Sequence, residues 1–230
     1  MKNQTVSLSS LLRKHQREFS AVLDWPEKRE QVIHLDLSSS NQELQEVNLK
    51  DTQAFQNFIN RSIEAEGGKM GIGGYLENRA IYRRSDVFGG SEDRSIHLGI
   101  DIWAPAFSTV YAPLEARVHS LQDNDAFGDY GPTIILLHEL EGMRFFTLYG
   151  HLSRASIKSL SAGQKVEKGS AFTELGPFPE NGDWPSHLHF QLILDLGGNS
   201  GDFPGVAAPS ELEKYKRLCP DPQLLLKLPD

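Results

Sequence analysis

The sequence lacks the cysteines that an extracellular disulfide framework requires. Cys219 is the only cysteine among 230 residues, so no disulfide can form within the chain. Small secreted domains are often stabilised by disulfides, whereas cytosolic proteins are kept reduced. The composition is otherwise ordinary, with 39% hydrophobic and 23% charged residues. We therefore expect a packed globular core that is not held by disulfides.

Long apolar runs and an excess of basic charge are also absent. No run approaches the ~20 apolar residues of a membrane span, and the first residues contain no apolar signal-peptide core. The formal net charge is −8, which disfavours nucleic acid and anionic membranes as main partners. These absences favour a cytoplasmic protein. A periplasmic or extracellular location would require that a leader had been removed.

Residues 1–70 are predicted to form a helical appendage. Residues 7–23 have roughly helical apolar spacing, and residues 31–37 alternate like a short strand. The segment from Asp51 to Glu66 resembles a capped helix that ends at the glycine pair following it. Its predicted buried stripe is Phe55, Phe58, Ile59 and Ile63.

The texture changes after residue 70. Glycine-rich turns separate short apolar segments with no helical pattern between them, which is typical of an antiparallel β-domain. We predict a mainly β, β-rich α+β fold, with the β-domain over residues 71–196 and a C-terminal strap over 197–230. The strand candidates are 98–103, 108–112, 115–122, 132–138, 143–149, 171–175 and 187–195.

Two short polar patterns stand out in the β-domain. His187 and His189 are two residues apart, and His97 and Asp101 are four apart, so in an extended strand each pair would share one face. His151 follows another apolar segment. Catalytic zinc takes about three protein ligands and keeps one position for water, so this set could supply the ligands and an acid or base. The pattern alone leaves open which histidines bind the metal.

The three patterns and the residues between them match a known family. His-x-x-x-Asp at 97–101, Tyr-x-His-Leu-Ser at 149–153 and His-x-His-Phe at 187–190 resemble the motifs of lysostaphin-type zinc metallopeptidases, which cut peptide cross-links of bacterial peptidoglycan. Residues 163–169 and 105–118 are similar to the family's intervening segments. The likeness covers about residues 89–195.

The resemblance implies an antiparallel-sheet metallopeptidase with one Zn²⁺ per chain. His97, Asp101 and His189 would be the zinc ligands, and His151 and His187 the catalytic pair that handles the water and the oxyanion. The implied partner is a peptide or a peptidoglycan fragment, so the expected enzyme is a zinc metalloendopeptidase.

The chain departs from the family pattern at several positions that bear on the substrate. Residues 178–186 replace the usual Gly-x-Ser-Thr-Gly, Gln191 replaces a usual glutamate, and Phe107–Val110 replaces Gly-Thr-Pro-Val. In these features the chain also resembles lysostaphin-type domains fused to class III aminotransferases.

Two alternatives to peptidoglycan hydrolysis remain. The first is a non-hydrolytic binding or regulatory module on the same fold; family members of that kind have usually lost zinc ligands, and this chain retains all of them. The second is a cytosolic small-amide hydrolase, which would differ in the size of the cleft. A cupin is disfavoured because cupins carry His-x-His in the first motif rather than the last. Residues 1–70 could cover the cleft as a flap or brace the sheet.

Overall fold

A large sheet organises the chain in the computed structural model, which describes residues 7–90 and 92–229. The ends of two predicted segments, residues 1–6 of the appendage and Asp230 of the strap, lie outside the described residues, as does Ser91. The strands are β1 (Val32–Leu35), β2 (Met70–Gly73), β3 (Ile96–His97), β4 (Ile100–Trp103), β5 (Thr109–Tyr111), β6 (Ala116–Asn124), β7 (Gly131–Leu140), β8 (Met143–Gly150), β9 (Lys165–Val166), β10 (Ala171–Glu174), β11 (His187–Ile193) and β12 (Val206–Ala207).

Eight of these strands form one sheet, in the order β1-β2-β4-β11-β8-β7-β6-β9. Its strand pairs are antiparallel except β1 and β2, which run parallel. Two small sheets, β10 with β5 and β12 with β3, flank it. The predicted strand-rich α+β fold is confirmed, and the large sheet is mixed because β1 joins it in parallel at one edge.

Helices are short and lie mostly near the two ends of the chain. The α-helices are α1 (Leu8–His15), α2 (Gln42–Gln45), α3 (Thr52–Ala65), α4 (Arg154–Ile157) and α5 (Leu212–Leu218), and the 3₁₀ helices are Gln16–Glu18, Arg29–Gln31, Ile81–Arg84, Asp86–Phe88, Pro209–Glu211 and Pro222–Leu225.

Helix α3 forms as the sequence predicts. The Asp51 side chain caps its N-terminus by accepting a hydrogen bond from the backbone N–H of Ala54. Its predicted apolar stripe is buried in a cluster that also contains Trp103 and Trp184. Because Trp103 lies in β4 and Trp184 precedes β11, α3 is packed against the strands that carry the polar patterns.

Both ends of the chain contribute to the largest hydrophobic cluster. Leu8 and Leu12 of α1 are buried there with Leu225 near the C-terminus and with Ile100 and Leu188 of the central strands. Across residues 7–90 and 92–229, no helix is long and apolar enough to cross a membrane.

Candidate metal centre

Strand register brings Asp101 and His189 together. β11 pairs with β4 so that His189 lies opposite Asp101 and His187 lies opposite Trp103. Residues directly opposite each other in adjacent strands project from the same face. On its other side β11 pairs with β8, where His189 lies opposite Gly150, the residue before His151. Three central strands therefore place these side chains together.

His97 reaches the same place by a different route from the one expected. The single extended strand assumed across His97 and Asp101 is wrong, because β3 ends at His97, β4 begins at Ile100, and β3 pairs with β12 outside the main sheet. The change of direction occurs at Leu98 and Gly99. A Cβ on Gly99 would lie 2.6 Å from Cε1 of His189, so glycine is required for the close approach.

Three side-chain atoms converge in this region. Nε2 of His97 lies 3.0 Å from Nδ1 of His189, and Oδ1 of Asp101 lies 3.2 Å from the first nitrogen and 3.1 Å from the second. Tetrahedral zinc with ligand bonds of about 2.0 to 2.1 Å separates its ligand atoms by about 3.3 Å. The triangle therefore has the size that a zinc ion requires.

The hydrogen bonds around the triangle leave all three corners as electron-pair donors. Nδ1 of His97 lies 3.0 Å from the carbonyl oxygen of Gly74, and Nε2 of His189 lies 2.9 Å from Oε1 of Gln191. The Gln191 amide is oriented by donating its N–H to the Pro204 carbonyl. Since a carbonyl oxygen only accepts, each facing nitrogen carries the ring proton and the other nitrogen is left with its lone pair. Two lone pairs and a carboxylate oxygen thus meet without a proton between them, an arrangement that fits a cation.

His151 and His187 lie beside the triangle with their rings close together. Their ring centroids are 4.2 Å apart. Nδ1 of His151 donates to the carbonyl of Asn181 at 2.8 Å, and Nδ1 of His187 donates to that of Pro185 at 2.6 Å. Each ring is thereby held with Nε2 available on the pocket side, and Nε2 of His187 lies 3.8 Å from Oδ1 of Asp101.

The backbone at His151 is unusual. This residue has φ of +62°, the left-handed region that few residues other than glycine adopt. The conformation turns the chain at the end of β8, and the backbone N–H of His151 donates to the carbonyl of Tyr130. Such conformations are concentrated at functional sites because surrounding contacts must maintain them.

A buried arginine from outside the predicted motifs completes the site. The Arg79 guanidinium is bonded to Oδ2 of Asp101 and lies 2.7 Å from Oε2 of Glu77. Its side chain is fully buried. Asp101 therefore presents Oδ1 to the histidines while Arg79 holds Oδ2. The guanidinium fits because Gly73 has no side chain, since a Cβ there would lie 2.9 Å from Nη2 of Arg79.

Burial and neighbouring charges set the protonation of the site. Burial, with a further contribution from the positive charge of Arg79, lowers the pKa of His97 to about 4. Burial also lowers the pKa of His151 and of His187. Burial alone would raise the pKa of Asp101, but the charges of His97 and Arg79 outweigh it and hold this pKa well below its usual range. At neutral pH the site therefore offers neutral imidazoles and an ionised carboxylate, the forms that bind metals.

A pocket of about 240 Å³ opens onto these side chains. Asp101, His151, His187 and His189 form part of its lining. The other lining residues include aromatic side chains from several segments, namely Phe55, Tyr82, Phe88, Trp103, Tyr130, Trp184 and Phe203.

Every candidate residue named from the sequence lies in this one region, whereas Arg79, Glu77 and Tyr130 were missed. Arg79 lies in an irregular segment, where no periodicity links it to the motifs, and only the fold shows its contact with Asp101. The histidines left outside the motifs lie elsewhere; His138, for example, is buried between the Glu115 carbonyl and Thr147.

Comparison with known proteins agrees with the motifs. Residues 95–200 match the family model described as Peptidase family M23. No curated protein matches the chain.

Several solved structures are similar to part of the chain. A zinc containing peptidase from Vibrio cholerae is 22% identical over 43% of this chain, with a TM-score of 0.33, and the match spans only 27% of that peptidase. The catalytic domain of lysostaphin from Staphylococcus simulans is 18% identical, with a TM-score of 0.37, over 55% of this chain and 86% of that domain. The prophage-encoded M23 protein EnpA from Enterococcus faecalis is 20% identical, with a TM-score of 0.36, over 53% of this chain and 81% of that one.

The motif order, the strand-rich fold and the family match all concern the same part of the chain. Residues 95–200 form a lysostaphin-type domain of peptidase family M23.

Proposed function

We propose that this chain is a zinc metallopeptidase that hydrolyses a peptide bond of peptidoglycan type, in a cross-link or a stem peptide. The proposal is carried by the meeting of His97, Asp101 and His189 as three electron-pair donors with no proton between them. These residues would hold one Zn²⁺ per chain. The bound ion would polarise the scissile carbonyl and lower the pKa of a water molecule.

The remaining imidazoles would manage protons and charge. Nε2 of His187 and of His151 can each accept a proton from the attacking water, because burial keeps both rings neutral. Once protonated, the same Nε2–H can donate to the oxyanion or to the leaving amine. The carbonyls of Asn181 and Pro185 fix the rings for this role by accepting the Nδ1–H bonds.

Arg79 would act through Asp101 rather than on the substrate. By holding Oδ2 it fixes the carboxylate plane and leaves Oδ1 directed at the metal position. Residues behind metal ligands commonly orient them in this way.

Metal analysis combined with hydrolysis of glycyl and D-alanyl peptides tests the proposal. We expect one zinc per chain and measurable cleavage, with kcat lowered about 10²- to 10⁴-fold in His151→Ala, the usual contribution of a general acid or base. His34→Ala is the matched control, because His34 is exposed on β1. Stoichiometric zinc without cleavage of any such peptide would contradict the peptidase assignment and favour a binding module.

A further inference from the structure

The active-site pocket is enclosed by parts of the chain outside residues 95–200. Phe55 comes from α3, Tyr82 and Phe88 come from the two 3₁₀ helices after β2, and Phe203 and Val206 come from the C-terminal segment. As a result the catalytic and ligand side chains are almost shielded from solvent. Asp101 and His189 are each 4% exposed and His151 is 5% exposed. An open groove for a polymer would leave these groups far more accessible.

The wall formed by α3 is fixed to the segment that precedes His187. Oγ1 of Thr52 donates to the carbonyl of Asp183 at 3.0 Å, and the backbone N–H of Ser186 donates to Oε1 of Gln56 at 3.0 Å. Arg84 strengthens the contact, since its Nη2 donates to the same Asp183 carbonyl and its guanidinium lies 4.5 Å from the Trp184 ring centroid. This wall is therefore part of the folded structure.

The opposite wall is equally fixed. β12 pairs with β3, the strand that carries His97, and the backbone N–H of Leu98 donates to the Gly205 carbonyl at 2.9 Å. The Gln191 amide donates to the carbonyl of Pro204 at 3.1 Å. Both sides of the pocket thus bond to the segments that hold the candidate metal ligands, and widening it would disturb them.

The volume limits what can reach the reacting position. A cavity of about 150 Å³ is known to hold benzene, so 240 Å³ accommodates about ten non-hydrogen atoms on the same scale. That is the size of one or two small amino-acid residues. A cross-linked polymer must leave the site on both sides of the scissile bond, and the two walls leave no room for this.

Building on the proposed function, we infer that the substrate is the free end of a short soluble peptide and that intact cross-linked peptidoglycan is excluded. The aromatic lining favours small apolar residues such as alanine at the buried end. The reaction is ordinary amide hydrolysis, in which water adds across the bond to give a carboxylic acid and an amine.

Competition between free and attached peptides tests the inference. The zinc-loaded full chain is assayed by mass spectrometry on alanyl and glycyl peptides of two to about five residues, the length range set by the pocket. The same peptides are presented coupled at both ends to a soluble polymer, and purified sacculi are tested in parallel. We expect the free peptides to be cleaved with a kcat/KM at least about tenfold higher, the usual scale of steric discrimination in a pocket.

The outcomes separate the two proposals. Similar rates on free and doubly attached peptides, or efficient release of fragments from sacculi, would overturn the inference and leave the peptidase function intact. Cleavage of none of these substrates by a chain with stoichiometric zinc would overturn both.

Widening the pocket provides a second test. Phe88 is half-buried and lies against Tyr82, with ring centroids 4.7 Å apart, so Phe88→Ala removes wall without emptying the core. We expect it to raise the kcat/KM ratio of longer to shorter peptides several-fold. Phe88→Leu should have a smaller effect, and it also serves if the alanine variant does not fold. Phe107→Ala is the control, because Phe107 is 59% exposed and does not line the pocket. An unchanged ratio in both folded Phe88 variants would contradict the inference.

Discussion

At the residue scale, the two oxygens of Asp101 have different partners. Oδ1 faces His97 and His189, while Oδ2 is bonded to Arg79, which is also paired with Glu77. Burying these charges is tolerable because each has a partner of opposite sign. The geometry of one candidate metal ligand thus depends on a residue that precedes the M23 domain in the chain.

We expect Arg79→Lys to weaken zinc binding. Lysine keeps the positive charge but lacks the planar fork that can bond Asp101 and Glu77 together. Changes to residues behind metal ligands typically cost about 10- to 100-fold in metal affinity, and we expect a loss in this range. Competition with a chromogenic chelator measures it. Arg83→Lys is the control because Arg83 is exposed in the same 3₁₀ helix. Equal affinities of the two variants would show that Arg79 does not position Asp101.

His138 makes stability depend on pH independently of the metal centre. Burial lowers the pKa of His138 to about 4, whereas the unfolded chain binds this proton below about pH 6.5. The folded state therefore binds fewer protons within that window. Stability is fully present above about pH 6.5 and falls as the pH drops toward 4, by about 3 kcal/mol from this group.

The variant His138→Gln should lose this pH-dependent part. We expect it to be less stable at neutral pH by about 1 to 3 kcal/mol, since buried hydrogen bonds are disturbed. Its free energy of unfolding should nevertheless fall less steeply between about pH 6.5 and 4. Urea unfolding of the metal-free chain at several pH values measures both effects. The exposed His34→Gln should retain the full slope, and a retained slope in His138→Gln would refute the assignment.

At the scale of elements, the turn between β3 and β4 depends on Gly99. A Cβ at this position would lie 2.6 Å from the His189 ring and 2.9 Å from the carbonyl oxygen of Phe190. The ring could move, but the carbonyl belongs to the pairing of β11. Gly99→Ala should therefore displace His189 and weaken zinc binding by about tenfold or more, as distortions around metal ligands do.

A zinc titration with far-UV circular dichroism as a fold check tests this expectation. Gly90→Ala is the matched control, since a Cβ there would meet no atom closer than 3.6 Å. Wild-type zinc affinity in a folded Gly99→Ala chain would show that the turn can yield without moving His189.

The elements themselves were largely predictable from the sequence, whereas their connections were not. Every strand candidate contains a strand, because alternation and glycine-rich turns are local signals. The residues of the candidate site were also identifiable, since His187 and His189 share a strand. The break at Leu98–Gly99, the left-handed backbone of His151 and the contact of Arg79 with Asp101 arise from packing between distant segments. No local pattern encodes such contacts.

At the scale of the whole molecule, the predicted appendage shares its core with the sheet. Leu12 of α1 is fully buried in the cluster that contains Ile100 and Leu188, and Leu225 near the other end of the chain is buried there too. β1 also extends the main sheet through its parallel pairing with β2. A segment that packs in this way should unfold together with the metal centre.

Leu12→Ala tests whether the chain is one cooperative unit. Removing a fully buried leucine side chain costs about 2 to 5 kcal/mol because a cavity remains. If the core is shared, the midpoints of zinc release and of far-UV circular dichroism should shift together and remain coincident. Leu49→Ala is the control, because Leu49 is only partly buried and belongs to the other cluster around α3, so its shift should be smaller. Loss of helical signal before zinc release in Leu12→Ala would instead mean that residues 7–65 unfold as a separate domain, and the walls of the pocket would then be separable from the peptidase domain.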